Sequence, residues 1–175
     1  MINQTNEILI TEEQLKKRVD ELGVQITKDY EGESILLVGI LKGSVPFMAD
    51  LMRRIDLDVE IDFMVVSSYG GGTTSSGEVK IKKDLETSIE GRNVLIIEDI
   101  IDTGFTLSLL TKELLKRNPK SLKVCSALDK PSRRVVDFKA DYVGFEVENK
   151  FIVGYGLDAD QKFRQFPYIS WIKEE

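Results

Sequence analysis

The sequence predicts an α/β fold, a mainly parallel twisted sheet flanked by helices, in one domain over residues 1–175. Three observations predict it. Short, continuously apolar runs such as SILLVGIL (34–41) and NVLIIEDI (93–100) read as strands buried on both faces. Segments with apolar residues at helical spacing alternate with those runs, the pattern of helices packed on a parallel sheet. No internal repeat, low-complexity tract or proline-rich linker divides the chain.

The elements follow in order. TEEQLKKRVDELGVQITKDY (11–30) opens with a capping-type Thr11, and Leu15, Val19, Leu22 and Ile26 fall on one helical face, with Gly23 lowering helix propensity in its later half. After the strand at 34–41, Ser44 is the expected cap of a helix running to about Arg54, with Pro46 tolerated in its first turn. DVEIDFMVVSS (58–68) is a second strand. YGGGTTSSGE (69–78) has four glycines and four hydroxyl residues, the composition of a mobile loop, and VKIKKDL (79–85) reads as a short exposed strand. NVLIIEDI is the clearest buried strand and FTLSLLTKELLKRN (105–118) the clearest helix, stopped by Asn118-Pro119. SLKVCSAL (121–128) is a further strand; DYVGFEV (141–147), KFIVGYGL (150–157) and FPYISWI (166–172) are shorter β-like pieces.

Composition narrows the chemistry. Hydrophobic residues at 42% and charged residues at 31% describe an ordinary soluble globular protein. No apolar run approaches the roughly 18–20 residues that span a bilayer, and the N-terminus lacks the basic start and apolar stretch of a secretory signal. The single Cys125 cannot form an intramolecular disulfide, in keeping with a reducing cytoplasm. The net charge of -6 argues against a general nucleic-acid binder. The chain has no histidine, so Ser-His-Asp catalysis and His-ligated metal sites are impossible, and one cysteine cannot complete a thiolate site. Carboxylates, lysine, arginine, hydroxyls, backbone amides and a hard metal ion remain.

IIEDIIDTGFT (96–106) crowds three carboxylates, Glu98, Asp99 and Asp102, at the end of an apolar strand. Like charges at such spacing repel and raise proton affinity, so the cluster calls for a cationic or hydroxyl-rich partner. In open α/β sheets ligands bind where strands end and helices begin. The turn DTGFT leads into a helix whose first N–H groups and positive dipole end form a phosphate seat, with Thr103 and Thr106 adding hydroxyls and Gly104 permitting the tight bend. Glu98 and Asp99 suit a vicinal diol or magnesium. A ribose 5-phosphate satisfies both halves, its hydroxyls at the acids and its phosphate over residues 102–106. No GxxxxGK[ST] occurs, and no GxGxxG follows a strand.

VLIIEDIIDTGFT resembles the phosphoribosyl-pyrophosphate motif of the type I phosphoribosyltransferases. LVGILKGSVPFMADLMRRI, SSYGGGTTSSGEVKI, LDKPSRRVVDFKADYVGFEVENKFIVGYGLD and KFRQFPYI extend the resemblance, over nearly the full length, to the bacterial hypoxanthine and hypoxanthine-guanine branch of that family. It implies the family fold, with a small hood from the terminal segments, and transfer of ribose 5-phosphate from phosphoribosyl pyrophosphate to N9 of a 6-oxopurine, with Mg2+. Glu98 and Asp99 then match the acids that meet the ribose hydroxyls and support one metal ion, and Asp102 the general base near purine N7. Thr103, Gly104 and Thr106 match the cradle of the 5-phosphate. Leu41, Lys42 and Gly43 match the pyrophosphate loop, often built on a non-proline cis peptide. Ser68 and Tyr69, with the glycine-rich stretch, match a loop that closes over the reacting centre. Lys130 matches the donor to the purine 6-oxo group; an ammonium offers three donors and no acceptor, so it suits a carbonyl and not the amine of adenine. Phe151 matches the aromatic that stacks on the purine and Ile152 a backbone contact to its edge. Asp158 matches a ligand of the second magnesium and Arg164 a pyrophosphate contact. Phe105 carries no implied role, and Ala159 stands where an aromatic is expected.

The resemblance further implies purine salvage in the cytoplasm by a homodimer or homotetramer, with no nucleic-acid or membrane partner. Rival readings are a phosphoribosyltransferase for xanthine, adenine or a pyrimidine, a regulator that senses the sugar phosphate without catalysis, and a dinucleotide-binding dehydrogenase domain. Lys130 and the Phe151 region favour a 6-oxopurine but do not separate hypoxanthine, guanine and xanthine.

Overall fold

A computed structural model describes residues 7–68 and 79–172. Tyr69 and the rest of the 69–78 loop lie outside the described residues, as does the side chain of Ser68. The elements are β1 (Ile8–Ile10), α1 (Glu12–Asp29), β2 (Ile35–Ile40), α2 (Val45–Met52), β3 (Val59–Ser68), β4 (Val79–Lys83), β5 (Asn93–Ile101), α3 (Phe105–Leu115), β6 (Ser121–Asp129), β7 (Tyr142–Glu146), β8 (Phe151–Val153) and β9 (Ile169–Ile172). A six-stranded sheet runs β4-β3-β2-β5-β6-β7, parallel throughout except for the antiparallel edge strand β4. A second, antiparallel sheet of order β1-β9-β8 joins the two ends of the chain and forms the expected hood.

The apolar runs work as period-two strands with both faces covered. Leu37, Leu95 and Ile97 share a core with Leu22 and Ile26 of α1 and Phe47 and Leu51 of α2. The alternate residues Leu36, Val38, Val94 and Ile96 face the other way, onto Leu107, Leu110 and Leu114 of α3. No helix among the described residues is long and apolar enough to cross a membrane.

Helix α1 begins as its sequence indicates. The Gln14 amide donates to Thr11 Oγ1 at 3.2 Å and the Thr11 amide donates to Gln14 Oε1 at 2.8 Å, closing a capping box. Ser44 does not cap α2. Its backbone is already helical (φ -69°, ψ -13°), whereas a capping hydroxyl needs an extended backbone to swing over the first amides. Ser44 Oγ is instead buried, without a partner among the described residues. Strand β1 carried no sequence signal: three residues are too few to show a period, and the strand exists through pairing with β9, with Ser170 Oγ donating to the Glu7 carbonyl at 2.7 Å.

Gly23 does not shorten α1, which continues to Asp29. A Cβ at Gly23 would lie 2.4 Å from Arg54 Cβ and 2.6 Å from the Arg54 carbonyl oxygen, so the glycine is the contact that lets the end of α2 dock on α1. Gly23→Ala gains about 1 kcal/mol of helix propensity and loses more to overpacking. We expect a Tm lower by about 2–6 °C, read by thermal unfolding; an unchanged or higher Tm would show that Arg54 moves aside freely.

Candidate active site

Parallel strands deliver their C-terminal ends to one edge of the sheet, and the loops that follow β2, β5 and β6 meet there. The turn after β2 contains a cis Leu41–Lys42 peptide. Within it the Leu41 amide donates to the Met64 carbonyl and the Val45 amide to the Lys42 carbonyl, while the Lys42 and Gly43 amides find no acceptor among the described residues. Gly43 is the point of closest approach. A Cβ there would sit 1.5 Å from Asp99 Oδ2, and a Cβ on Gly156 would sit 1.9 Å from the Gly43 carbonyl oxygen. Two other segments are therefore pressed against this turn, and neither position has room for a side chain.

Glu98 and Asp99 end β5 beside this turn, with the Ile100 amide donating to Asp99 Oδ1 at 2.7 Å and the Asp99 amide to Glu98 Oε1 at 3.2 Å. Burial pushes the Glu98 carboxyl well above the usual carboxylate range, and the Asp99 charge pushes it further. Burial raises Asp99 too, against the pull of hydrogen bonds and of the Arg164 charge. Asp99 lies on the Gly43 side, while Glu98 lines a pocket of about 280 Å³ with Ile101, Asp102, Thr103, Gly104 and Thr106. That pocket opens on the start of α3. Gly104, at the N-cap, takes the left-handed conformation (φ 76°) and has no side chain to cap the helix; the Phe105 amide donates to Thr103 Oγ1 at 3.3 Å, and the rest of the first turn lacks the acceptor a capping side chain would supply. An uncapped helix start beside threonine hydroxyls suits an anion.

A second pocket, of about 380 Å³, lies between Asp102, Lys130, Arg133, Lys150, Phe151 and Trp171. Asp102 lines both pockets and marks their junction. Lys130 is buried, its ammonium donating to the Lys150 carbonyl at 2.8 Å and its amide to the Ile101 carbonyl. Phe151 keeps an exposed ring at the rim, whereas the Ile152 side chain belongs to the core, so only its backbone is available to the site. Asp158 and Arg164 come from the segment after β8. Arg164 Nη2 lies 2.6 Å from Asp158 Oδ1, its Nη1 donates to the Gly156 carbonyl at 2.6 Å, and Lys42 reaches the same segment through Gln161. Ala159, where an aromatic was expected, sits in a tight turn paired with Lys162 and packs against the Val153, Phe163 and Phe166 cluster.

The structure thus gathers Lys42, Gly43, Asp99, Asp158 and Arg164 on one side, Glu98 with Thr103, Gly104 and Thr106 in the middle, and Lys130 with Phe151 beyond Asp102. Three residues escaped the sequence reading. Arg133 donates through Nε to Asp102 Oδ1 at 3.0 Å. Arg134 bonds the Asp102 carbonyl and the Asp129 carboxylate and covers Gly104, tying the loops after β5 and β6 together. Gln161 accepts from two cations. The paired arginines three residues after Lys130 were the one available signal.

Among the described residues no three acidic, histidine or cysteine side chains converge as a metal cage. The acids come as the Glu98–Asp99 pair and as Asp158 beside Arg164. That donor set fits magnesium, which is held through one or two carboxylates, waters and substrate phosphates, and a cation there would relieve the repulsion at Glu98.

A carboxyl with a raised folded-state pKa binds its proton more tightly in the folded chain. Stability is therefore fully present below the ordinary glutamate value and is lost progressively as pH rises from there towards the raised folded-state value, so part of it is missing at neutral pH. Glu98→Gln removes that loss. We expect the variant to melt above the unsubstituted protein at pH 7, with the gap closing near pH 4, where Glu98 is protonated; a gap independent of pH would mean that Glu98 is not electrostatically frustrated.

The chain matches the family described as the phosphoribosyl transferase domain over residues 5–160. It is 57% identical over 168 residues to the hypoxanthine-guanine phosphoribosyltransferase of Streptococcus thermophilus, covering 96% of this chain and 93% of that one. It is 54% identical over 173 residues to the Bacillus subtilis hypoxanthine-guanine phosphoribosyltransferase, covering 99% and 96%. A crystal structure of a hypoxanthine phosphoribosyltransferase from Staphylococcus aureus superposes with a TM-score of 0.94 at 53% identity, covering 98% of this chain and 93% of the other. Matched along nearly its whole length in both sequence and fold, the chain belongs to the phosphoribosyl transferase domain family.

Proposed function

We propose that this protein is a purine salvage enzyme that transfers the 5-phosphoribosyl group from phosphoribosyl pyrophosphate to N9 of hypoxanthine and guanine, giving IMP or GMP and pyrophosphate. The observation that carries the reading is Asp102 at the junction of two pockets. One of them has a buried lysine and an aromatic rim, and the other has a carboxylate and an uncapped helix start. A base in the first and a ribose phosphate in the second bring the bond-forming atoms together beside a carboxylate.

Each residue then has a task. The 5-phosphate lies on the first-turn amides of α3 and the hydroxyls of Thr103 and Thr106. The ribose hydroxyls face Glu98 and Asp99. Lys42, the free amides of its turn and Arg164 receive the pyrophosphate. Lys130 donates to the 6-oxo oxygen; its orientation is set by the Lys150 carbonyl, and an exocyclic amine at that place would oppose donor to donor. Phe151 covers the purine face, and the Ile152 backbone meets its edge. As N9 forms its bond to ribose C1 and pyrophosphate departs, Asp102 takes up or shares the proton the purine must lose. Arg133 now holds Asp102, but both side chains are close to half exposed, at 47% and 44%, so the pair is weak and yields to a base at little cost. Magnesium, supported by Glu98 and Asp99 and by Asp158, would stabilise negative charge on the departing pyrophosphate.

A cytoplasmic location and a homodimeric or homotetrameric assembly go with this reading. An ultraviolet assay with phosphoribosyl pyrophosphate and magnesium, offering hypoxanthine, guanine, xanthine, adenine and uracil separately, tests it. We expect conversion of hypoxanthine and guanine with adenine and uracil inert; a folded sample silent on every base would point to a sensor of the sugar phosphate. Asp102→Asn should lower kcat by about 10²–10⁴-fold while leaving both KM values within a few-fold. Near-normal turnover would remove Asp102 from the proton-transfer role.

A further inference from the structure

The two cations assigned to pyrophosphate reach the site from different segments, Lys42 from the turn after β2 and Arg164 from the segment after β8, and one neutral side chain joins them. Gln161 Oε1 accepts from Lys42 Nζ at 3.2 Å and from Arg164 Nη2 at 3.2 Å. The Gln161 amide donates to Asp158 Oδ2 at 2.8 Å, which anchors the residue to the carboxylate that also holds Arg164. Asp160 and Gln161 both take positive φ (51° and 63°), turning the chain back on itself at this point. Arg164 has further anchors in Asp158 and the Gly156 carbonyl, whereas Gln161 is the partner of Lys42 Nζ among the described residues.

We propose that Gln161 is a positioning residue that holds Lys42 and Arg164 together as a preformed diphosphate-binding pair. The proposal rests on the phosphoribosyl-pyrophosphate reading above. Two cations repel, and a substrate that had to gather them would spend binding energy doing so. A shared amide oxygen gathers them beforehand. Because it is neutral, it cancels neither charge, and an incoming diphosphate, bearing full negative charge, replaces it readily. A carboxylate at the same place would pair with both cations and compete with the substrate. Gln161 is exposed and packs in no core cluster, so its side chain serves the two cations and not the stability of the fold.

The test compares Gln161→Met, which keeps length and flexibility but lacks an acceptor, with Gln161→Glu, which keeps the acceptor. For Gln161→Met we expect KM for phosphoribosyl pyrophosphate to rise about 10-fold, the size of one lost hydrogen bond to a charged group. KM for hypoxanthine should stay within about twofold, and Tm should be unchanged. Calorimetry with magnesium pyrophosphate, which needs no turnover, should show Kd raised by a similar factor. Gln161→Glu keeps an acceptor but adds a charge that pairs with both cations and competes with the diphosphate, so it too should raise KM for phosphoribosyl pyrophosphate and Kd for pyrophosphate, with KM for hypoxanthine within about twofold. A Gln161→Met protein whose KM for phosphoribosyl pyrophosphate and Kd for pyrophosphate both stay within twofold overturns the proposal, as does an equal rise in KM for hypoxanthine. An unsubstituted protein that turns over no base, yet binds pyrophosphate in a Gln161-dependent way, removes the transferase reading and leaves the positioning role standing.

Discussion

The site depends on a steric constraint at Gly43. Asp99 presses on its α-carbon from one side and Gly156 on its carbonyl from the other, at separations that exclude even a methyl group. Through that contact the end of β5, the turn after β2 and the segment after β8 occupy one volume. The contact also fixes the electrostatics, because it brings the acids of β5 within reach of the cations of the other two segments. Arg164, anchored on the Gly156 carbonyl, is close enough to pull on the Asp99 carboxyl. A looser turn would separate these groups and leave each to the solvent.

The charges are sorted by segment and only partly neutralised, Arg164 being paired with Asp158. Glu98 and Asp99 stand together at the cost of a raised proton affinity, and Lys42 and Arg164 stand together around an uncharged oxygen. Each like-charged group is an unfavourable arrangement that the fold maintains and that a ligand of opposite charge would relieve: a divalent cation for the acids, a diphosphate for the bases. Asp102 differs from both. It is half exposed, ion-paired to Arg133, and placed where two pockets meet, so it can exchange partners.

In the proposed function the two sheets divide the recognition. The large parallel sheet supplies the strand ends and the helix start assigned to the sugar phosphate. The small sheet supplies the Phe151 ring and the backbone of Ile152, and the loop after β6 carries Lys130 between them. Arg134 ties that loop to the turn at Asp102 and Gly104, so one guanidinium holds in register the two loops to which the proposed function assigns the base and the sugar.

The alternation of buried runs and amphipathic helices, the acid cluster ending in a glycine turn, and the exclusion of histidine and thiolate chemistry were all legible in the residues, because period, local turn chemistry and composition are properties of short stretches. The resemblance assigned roles to Lys42, Lys130, Asp158 and Arg164 from their local motifs. Other features were decided by contacts between distant segments. Strand β1 exists through β9, Gly23 is a docking point for Arg54 and not a helix flaw, and Ser44 is drawn into the helical turn where a cap was expected. Arg133, Arg134 and Gln161 gain their roles from partners as far as 119 residues away, and no local pattern encodes such a distance. The residues specify which elements form and which chemistry is available. Which side chains meet is set by the packing of one sheet edge against another, where a missing Cβ or a single shared oxygen decides the geometry.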